Sequence, residues 1–188
     1  MDKTPVITAV AIIVIAAFAA YNVHKYSNTE YIKSSIDGNT YMVRKSPKKQ
    51  KVADTLAIIN MKITSLIHHL PDDNENVSLL KKRYKQGSIN ENITKVDTTF
   101  TINKGQEISF CITTRDKKEE VYDINTLMFV AIHEVAHIGC KSYGHGEEFV
   151  TFFKFLLNES IKKGIYDYVD YSTRPVEYCD MIINTTPL

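Results

Sequence analysis

Six histidines occur in the chain, and three of them, His133, His137 and His145, fall within thirteen residues. The first two belong to the run His133-Glu134-Val135-Ala136-His137. On a helix, positions i and i+4 stand one above the other on a single face, so both imidazoles can reach one ion at the ~2.0–2.1 Å of a zinc–nitrogen bond. Glu134, one residue along, reaches the same region and can take the proton of a water whose pKa a zinc ion lowers towards ~7. The chemistry of such a set is attack of water on a polarised carbonyl. The plain alternative is a pair of half-buried helix histidines, and the intervening acid and the nearby third histidine argue against it.

His145 sits in the turn Gly144-His145-Gly146, aimed back at the end of the histidine helix. As third ligand it would leave one position open for water, the mark of a catalytic rather than a structural zinc site. Glu147 or Glu148 are alternatives for that third place. Cys140 is closer in sequence and reads as packing. His68 and His69 have no acidic partner at metal spacing and read as surface or core, and His24 as interfacial.

The elements that must position this set can be read on either side of it. Asp123 or Asn125 can cap a helix whose apolar run is Leu127, Met128, Val130 and Ala131, weakened at Gly139. From Glu147 to about Lys163 another helix is expected, with Phe149, Phe152, Phe153, Leu156 and Leu157 on one face and Gly164 at its C′ position. Upstream, Val96 to Ile102 and Glu107 to Thr114 each alternate apolar and polar residues about the turn Asn103-Lys104-Gly105, a hairpin signal. Earlier still, Leu56, Ile59, Ile63, Leu66, Ile67 and Leu70 predict an amphipathic helix over Val52–Leu70, with Asn60 and Lys62 on its solvated face. Pro71 to Asn74 ends it, and a short basic helix from Val77 to Lys85 follows, stopped by Gly87. Together these define an α+β fold class.

The N-terminus is different in kind. From Pro5 to Tyr21 the chain is apolar all round, with no charged residue between Lys3 and Lys25, near the lower end of the ~17–25 residues a membrane-spanning helix needs. Residues 1–22 are read as a transmembrane anchor. A signal peptide cleaved near Ala17-Phe18-Ala19 and a buried core helix are the other readings. Residues 23–51 are read as a basic juxtamembrane linker in which Arg44, Lys45, Lys48, Lys49 and Lys51 either meet anionic lipid headgroups or are simply solvated. The globular domain is expected over 52–188. The basic flank on the C-terminal side places that domain on the cytoplasmic side of a single-pass protein. The odd count of three cysteines, Cys111, Cys140 and Cys179, read as reduced thiols, suits that side.

Composition sets the outer limits. A 188-residue chain that is 44% hydrophobic and 24% charged is not a disordered polymer. Lys+Arg 23 against Asp+Glu 22 gives a net charge of +1, which removes any global electrostatic case for nucleic acid as a partner.

The run from His133 to His137, a short loop, and then Gly144-His145-Gly146-Glu147-Glu148-Phe149 resemble the WLM and SprT-like small zinc metallopeptidases. The likeness covers about Val96 to Ile183 and is strongest to WLM-type metallopeptidases of large DNA viruses. It implies a minimal zincin domain, a protein or peptide substrate, Zn2+ held by His133, His137 and His145, and Glu134 as general base, with a virion membrane as the alternative location. The His137–His145 spacing is longer than in metzincins, and no C-terminal zinc ribbon follows. By analogy with zincins, Glu107–Thr114 is the candidate edge strand for substrate. A Tyr or Arg of the tail Tyr166–Ile183, such as Arg174, is a candidate oxyanion stabiliser, with simple packing as the alternative. The rival function is a non-catalytic membrane or virion structural protein stapled by zinc.

Overall fold

The computed structural model describes residues 4–94 and 98–188. Helix α1 (Thr4–Ser27) is followed by strands β1 (Thr29–Lys33) and β2 (Thr40–Arg44). Next come α2 (Lys49–His69), α3 (Glu75–Arg83), β3 (Ile89–Glu91), β4 (Phe100–Ile102) and β5 (Glu107–Phe110). Then follow α4 (Ile124–Gly139), α5 (Glu147–Lys162), β6 (Val176–Tyr178) and β7 (Met181–Ile183). The α+β class stands.

None of the 18-residue apolar stretch Val6–Val23 of α1 is buried, so it contributes nothing to the core. That excludes the core-helix reading and leaves a membrane span or a signal sequence, which length and composition do not separate. The positions flanking it in Lys3 and in the side chains of His24 and Lys25 lie outside the described residues.

The expected linker is instead folded structure. Residues 29–44 form an antiparallel hairpin of β1 and β2, in register from Thr29 opposite Arg44 to Lys33 opposite Thr40. Its apolar run Tyr41-Met42-Val43 is buried, which a solvated linker could not be. The edge of β2 meets β3 through side chains: Asn90 Oδ1 accepts from the Met42 amide, and Glu91 accepts from both the amide and Nε of Arg44 at 2.7 and 2.9 Å. The boundary expected at residue 51 falls inside α2, which starts at Lys49. Four of the five cations assigned to lipid are engaged within the chain. Arg44 holds Glu91, Lys45 the Ser27 carbonyl, Lys48 the Lys118 carbonyl and Glu120, and Lys49 Glu30.

All six apolar positions of the expected stripe on α2 are buried. Asn60 corrects the reading of its opposite face, because it is 1% exposed. Its amide donates to Tyr41 Oη at 3.2 Å, and its carbonyl accepts from Tyr84 Oη and the Gly87 amide, both at 3.3 Å. A buried amide with its groups satisfied costs little, so α2 can be covered on more than one side. Asn74 caps α3 by accepting from the amides of Asn76 and Val77.

The central sheet has the order β3-β5-β4, with β3 parallel and β4 antiparallel to β5. The expected hairpin is present as β4 and β5 about the turn at residues 103–105, all three with positive φ. Its first positions, Val96 and Asp97, lie outside the described residues. One expectation is overturned: β5 is the middle strand, hydrogen-bonded on both sides by β3 and β4, and so cannot be the free edge. The outer strands are β3 and β4, and β4 is the one that lines the cleft described below.

Helix α4 lies at the centre, against α2, α3, α5 and β4. Asp123 caps it, accepting from the amides of Asn125 and Thr126 at 2.9 and 3.1 Å. The five apolar residues expected on one face of α5 are all buried, and Gly164 at φ +63 takes the left-handed position past its end. At Gly139 α4 comes close to α5, and a methyl group there would collide with the Phe152 ring and stand 3.0 Å from the Asn76 carbonyl oxygen. Gly139→Ala should therefore lower the unfolding free energy read from urea melts, by about 1–3 kcal/mol of overpacking less the ~1 kcal/mol that alanine adds to a helix. A higher midpoint, as alanine's helix propensity alone would give, would refute that close approach.

Two of the three cysteines are joined. Cys111 after β5 and Cys179 between β6 and β7 form a disulfide with Cα atoms 6.4 Å apart, while Cys140 is free and buried. The expectation of three reduced thiols is thus corrected, and the support it lent to a cytoplasmic position goes with it. Spacing could not show the pair, since 68 residues separate the partners.

Candidate metal centre

One helical turn separates His133 from His137 on α4, and the loop from Cys140 to Gly146 brings His145 back over them. The three Nε2 atoms converge: His133 to His137 is 3.2 Å, His137 to His145 3.2 Å and His145 to His133 3.1 Å. Ligand nitrogens ~2.0–2.1 Å from a tetrahedral zinc stand about 3.3–3.4 Å apart, so the triangle has the size such an ion requires. Three neutral imidazoles offer three N–H groups and three lone pairs, and three lone pairs aimed at one point repel unless a cation or proton lies among them. The donor set therefore fits a metal ion, with three protein ligands and room for a fourth. Imidazole nitrogen alone does not choose among zinc, copper, nickel and iron.

The surroundings favour the neutral form that metal binding needs. Phe149 of α5 stacks on His137 with centroids 4.3 Å apart and meets His133 and His145 edge-on, and Phe153 closes on His133 at 5.2 Å. Burial, with the neighbouring imidazoles, pushes His133 down to about 3. Burial, with His145 and then Lys104, pushes His137 down to about 4. The spacing of phenylalanines along α5 is what places both rings against the triad.

Glu134 is 6% exposed, and burial pushes its carboxyl up to about 7. The hydroxyl of Thr101 on β4 opposes that rise, donating to Glu134 Oε2 at 2.7 Å. Both residues line, with the three histidines, a cleft of about 970 Å³. One wall of the cleft is β4 through Phe100 and Thr101. The other is β7 and the segment after it, from Met181 to Pro187.

The structure brings together the four residues that the sequence singles out, His133, Glu134, His137 and His145. It does not bring Glu147 or Glu148 to the triad. Glu148 accepts from the amides of Lys141 and Ser142 at 2.8 and 3.0 Å and is held down to about 2, chiefly by the Ser142 hydroxyl and these amides. Cys140 is buried packing, and His68 and His69 are exposed on α2. Arg174 is exposed and away from the cleft, while Tyr166 and Tyr171 pack on Phe129. Of the tail tyrosines only Tyr178 lines the cleft, and its hydroxyl donates to the Cys111 carbonyl at 2.8 Å. Thr101 and the C-terminal wall escape sequence reading, because their part in the site exists only once distant segments have folded together.

Fold and site thus define an α+β protein with a three-histidine cluster, suited to a metal ion, in an open cleft. The chain is 32% identical to uncharacterized protein R325 of Acanthamoeba polyphaga mimivirus over 194 aligned positions, covering 97% of each chain. It is 31% identical over 167 positions to uncharacterized protein 136R of Invertebrate iridescent virus 6, covering 74% of this chain and 90% of that one. It belongs to this family of proteins of large DNA viruses. No known family profile matches the chain, and no solved structure does.

Proposed function

We propose that this protein is a zinc-dependent metallopeptidase of WLM/SprT-like type, anchored to a membrane through α1. The observation that carries the reading is the convergence of three Nε2 atoms within 3.1–3.2 Å of one another beside the buried carboxylate of Glu134. Zinc held by His133, His137 and His145 would supply Lewis acidity and a water of lowered pKa. Glu134 takes the proton of the attacking water and returns it to the leaving amine. Thr101 holds that carboxyl at the β4 side of the cleft, and Phe149 and Phe153 keep bulk water from the other side of the imidazoles. The outer edge of β4 is where an extended substrate chain would add as a strand, in place of the β5 edge that the sequence suggested.

The test is metal content by mass spectrometry on the full chain in detergent, beside His145→Ala. About one zinc per chain in the parent and a clear loss in the variant support the site. A well-folded parent without metal overturns it.

A further inference from the structure

We propose that Glu148 and Lys104 are positioning residues that clamp the loop between α4 and α5 so that His145 completes the triad. This rests on the reading of the triad as a metal site. His145 is the exposed member, carried on a loop of residues 140–146 with Gly144 at φ +81 on one side and Gly146 on the other. Such a segment has many conformations to lose before its imidazole can meet two others fixed on a helix.

The loop is nevertheless held from two sides by opposite charges. Glu148, in the first turn of α5, takes the Lys141 amide on Oε1 at 2.8 Å and the Ser142 amide and hydroxyl on Oε2 at 3.0 and 2.5 Å. Lys104, in the β4–β5 turn, directs Nζ to the carbonyls of Cys140, Lys141 and Ser142 at 2.7, 2.8 and 2.9 Å. An ammonium has three N–H donors, so this one is saturated by three consecutive carbonyls. Asn76 of α3 ties the clamp to the helix end, donating to the Gly139 carbonyl at 3.1 Å and to Glu148 Oε1 at 2.8 Å. Lys104 also lies over the Tyr143 ring, 4.3 Å from its centroid. The first half of the loop is thereby fixed, and only the short arch Tyr143–Gly146 is left to present His145. The two charges come from different elements and meet only at this loop, which is how a histidine flanked by glycines can be presented in one place.

The experiment is zinc affinity of the full chain in detergent, by chelator competition, for Glu148→Gln and Lys104→Gln, with Glu147→Gln as control. Groups that orient metal ligands typically cost 10–100-fold in affinity when changed, and a loss in that range is expected for both variants and not for the control. Each is then repeated with His145→Ala. A positioning role predicts less than about a twofold further effect there, because the ligand being positioned is gone. A general folding role predicts the same loss in both backgrounds, and that result, or unchanged affinity in both single variants, overturns the clamp. A parent that binds no zinc overturns the metal reading itself, which is a different outcome.

Discussion

Glu134→Gln is expected to keep about one zinc per chain and to lose hydrolysis by at least the ~10²–10⁴ that a positioned acid–base group supplies. The amide has nearly the size of the carboxyl, still meets the Thr101 hydroxyl that now stands 2.7 Å from Oε2, and leaves the three imidazoles untouched. What it lacks is the ability to accept and return a proton. The measurement is cleavage of an unstructured protein substrate beside the metal content of the same preparation. Cleavage near the parent rate would remove Glu134 from its proposed role. A parent that holds zinc, cuts nothing and unfolds when stripped of metal would instead favour the stapled structural protein.

Breaking the Cys111–Cys179 link is the second large effect. It closes a loop of 68 residues in the unfolded chain, worth about 4 kcal/mol on the chain-entropy account. The paired substitution Cys111→Ala with Cys179→Ala should lower the unfolding free energy, read from denaturant melts, by about that amount. It should also loosen the β6–β7 wall of the cleft, which the disulfide ties to the strand core beside Tyr178. Thiol titration supplies the check: one reactive thiol, Cys140, in the unfolded unreduced protein and three after reduction. Three without reductant would mean that the pair does not form. Because disulfides persist chiefly in oxidising surroundings, this pair weighs against the cytoplasmic position that basic residues near α1 suggest.

The most periodic parts of the molecule were the most legible in the amino-acid sequence. Helices α4 and α5 declare themselves by caps and by apolar steps of three and four, and so the four residues that converge in the cleft are legible in the sequence. Short strands behave otherwise. A three-residue strand such as β3 or β6 offers no alternation to read, and it owes its existence to partners far away in sequence. The hairpin of β1 and β2 was hidden by its basic flank, although Tyr41-Met42-Val43 carried a visible apolar signal. Asn60 is buried because Tyr41, Tyr84 and Gly87 gather around it, and none of these is a neighbour in the chain. Strand order is likewise non-local, which is why alternation alone points to β5 as readily as to β4 for the edge.

Only Asn28 separates the end of α1 from the start of β1. One residue spans at most ~3.6 Å, so a bilayer-spanning α1 would hold the domain on almost no leash. Such a protein would search the plane of its own membrane rather than the volume around it. If it cuts as proposed, the bonds within its reach would lie in segments close to that surface, and distance from the bilayer, as much as side-chain preference, would decide what is cut.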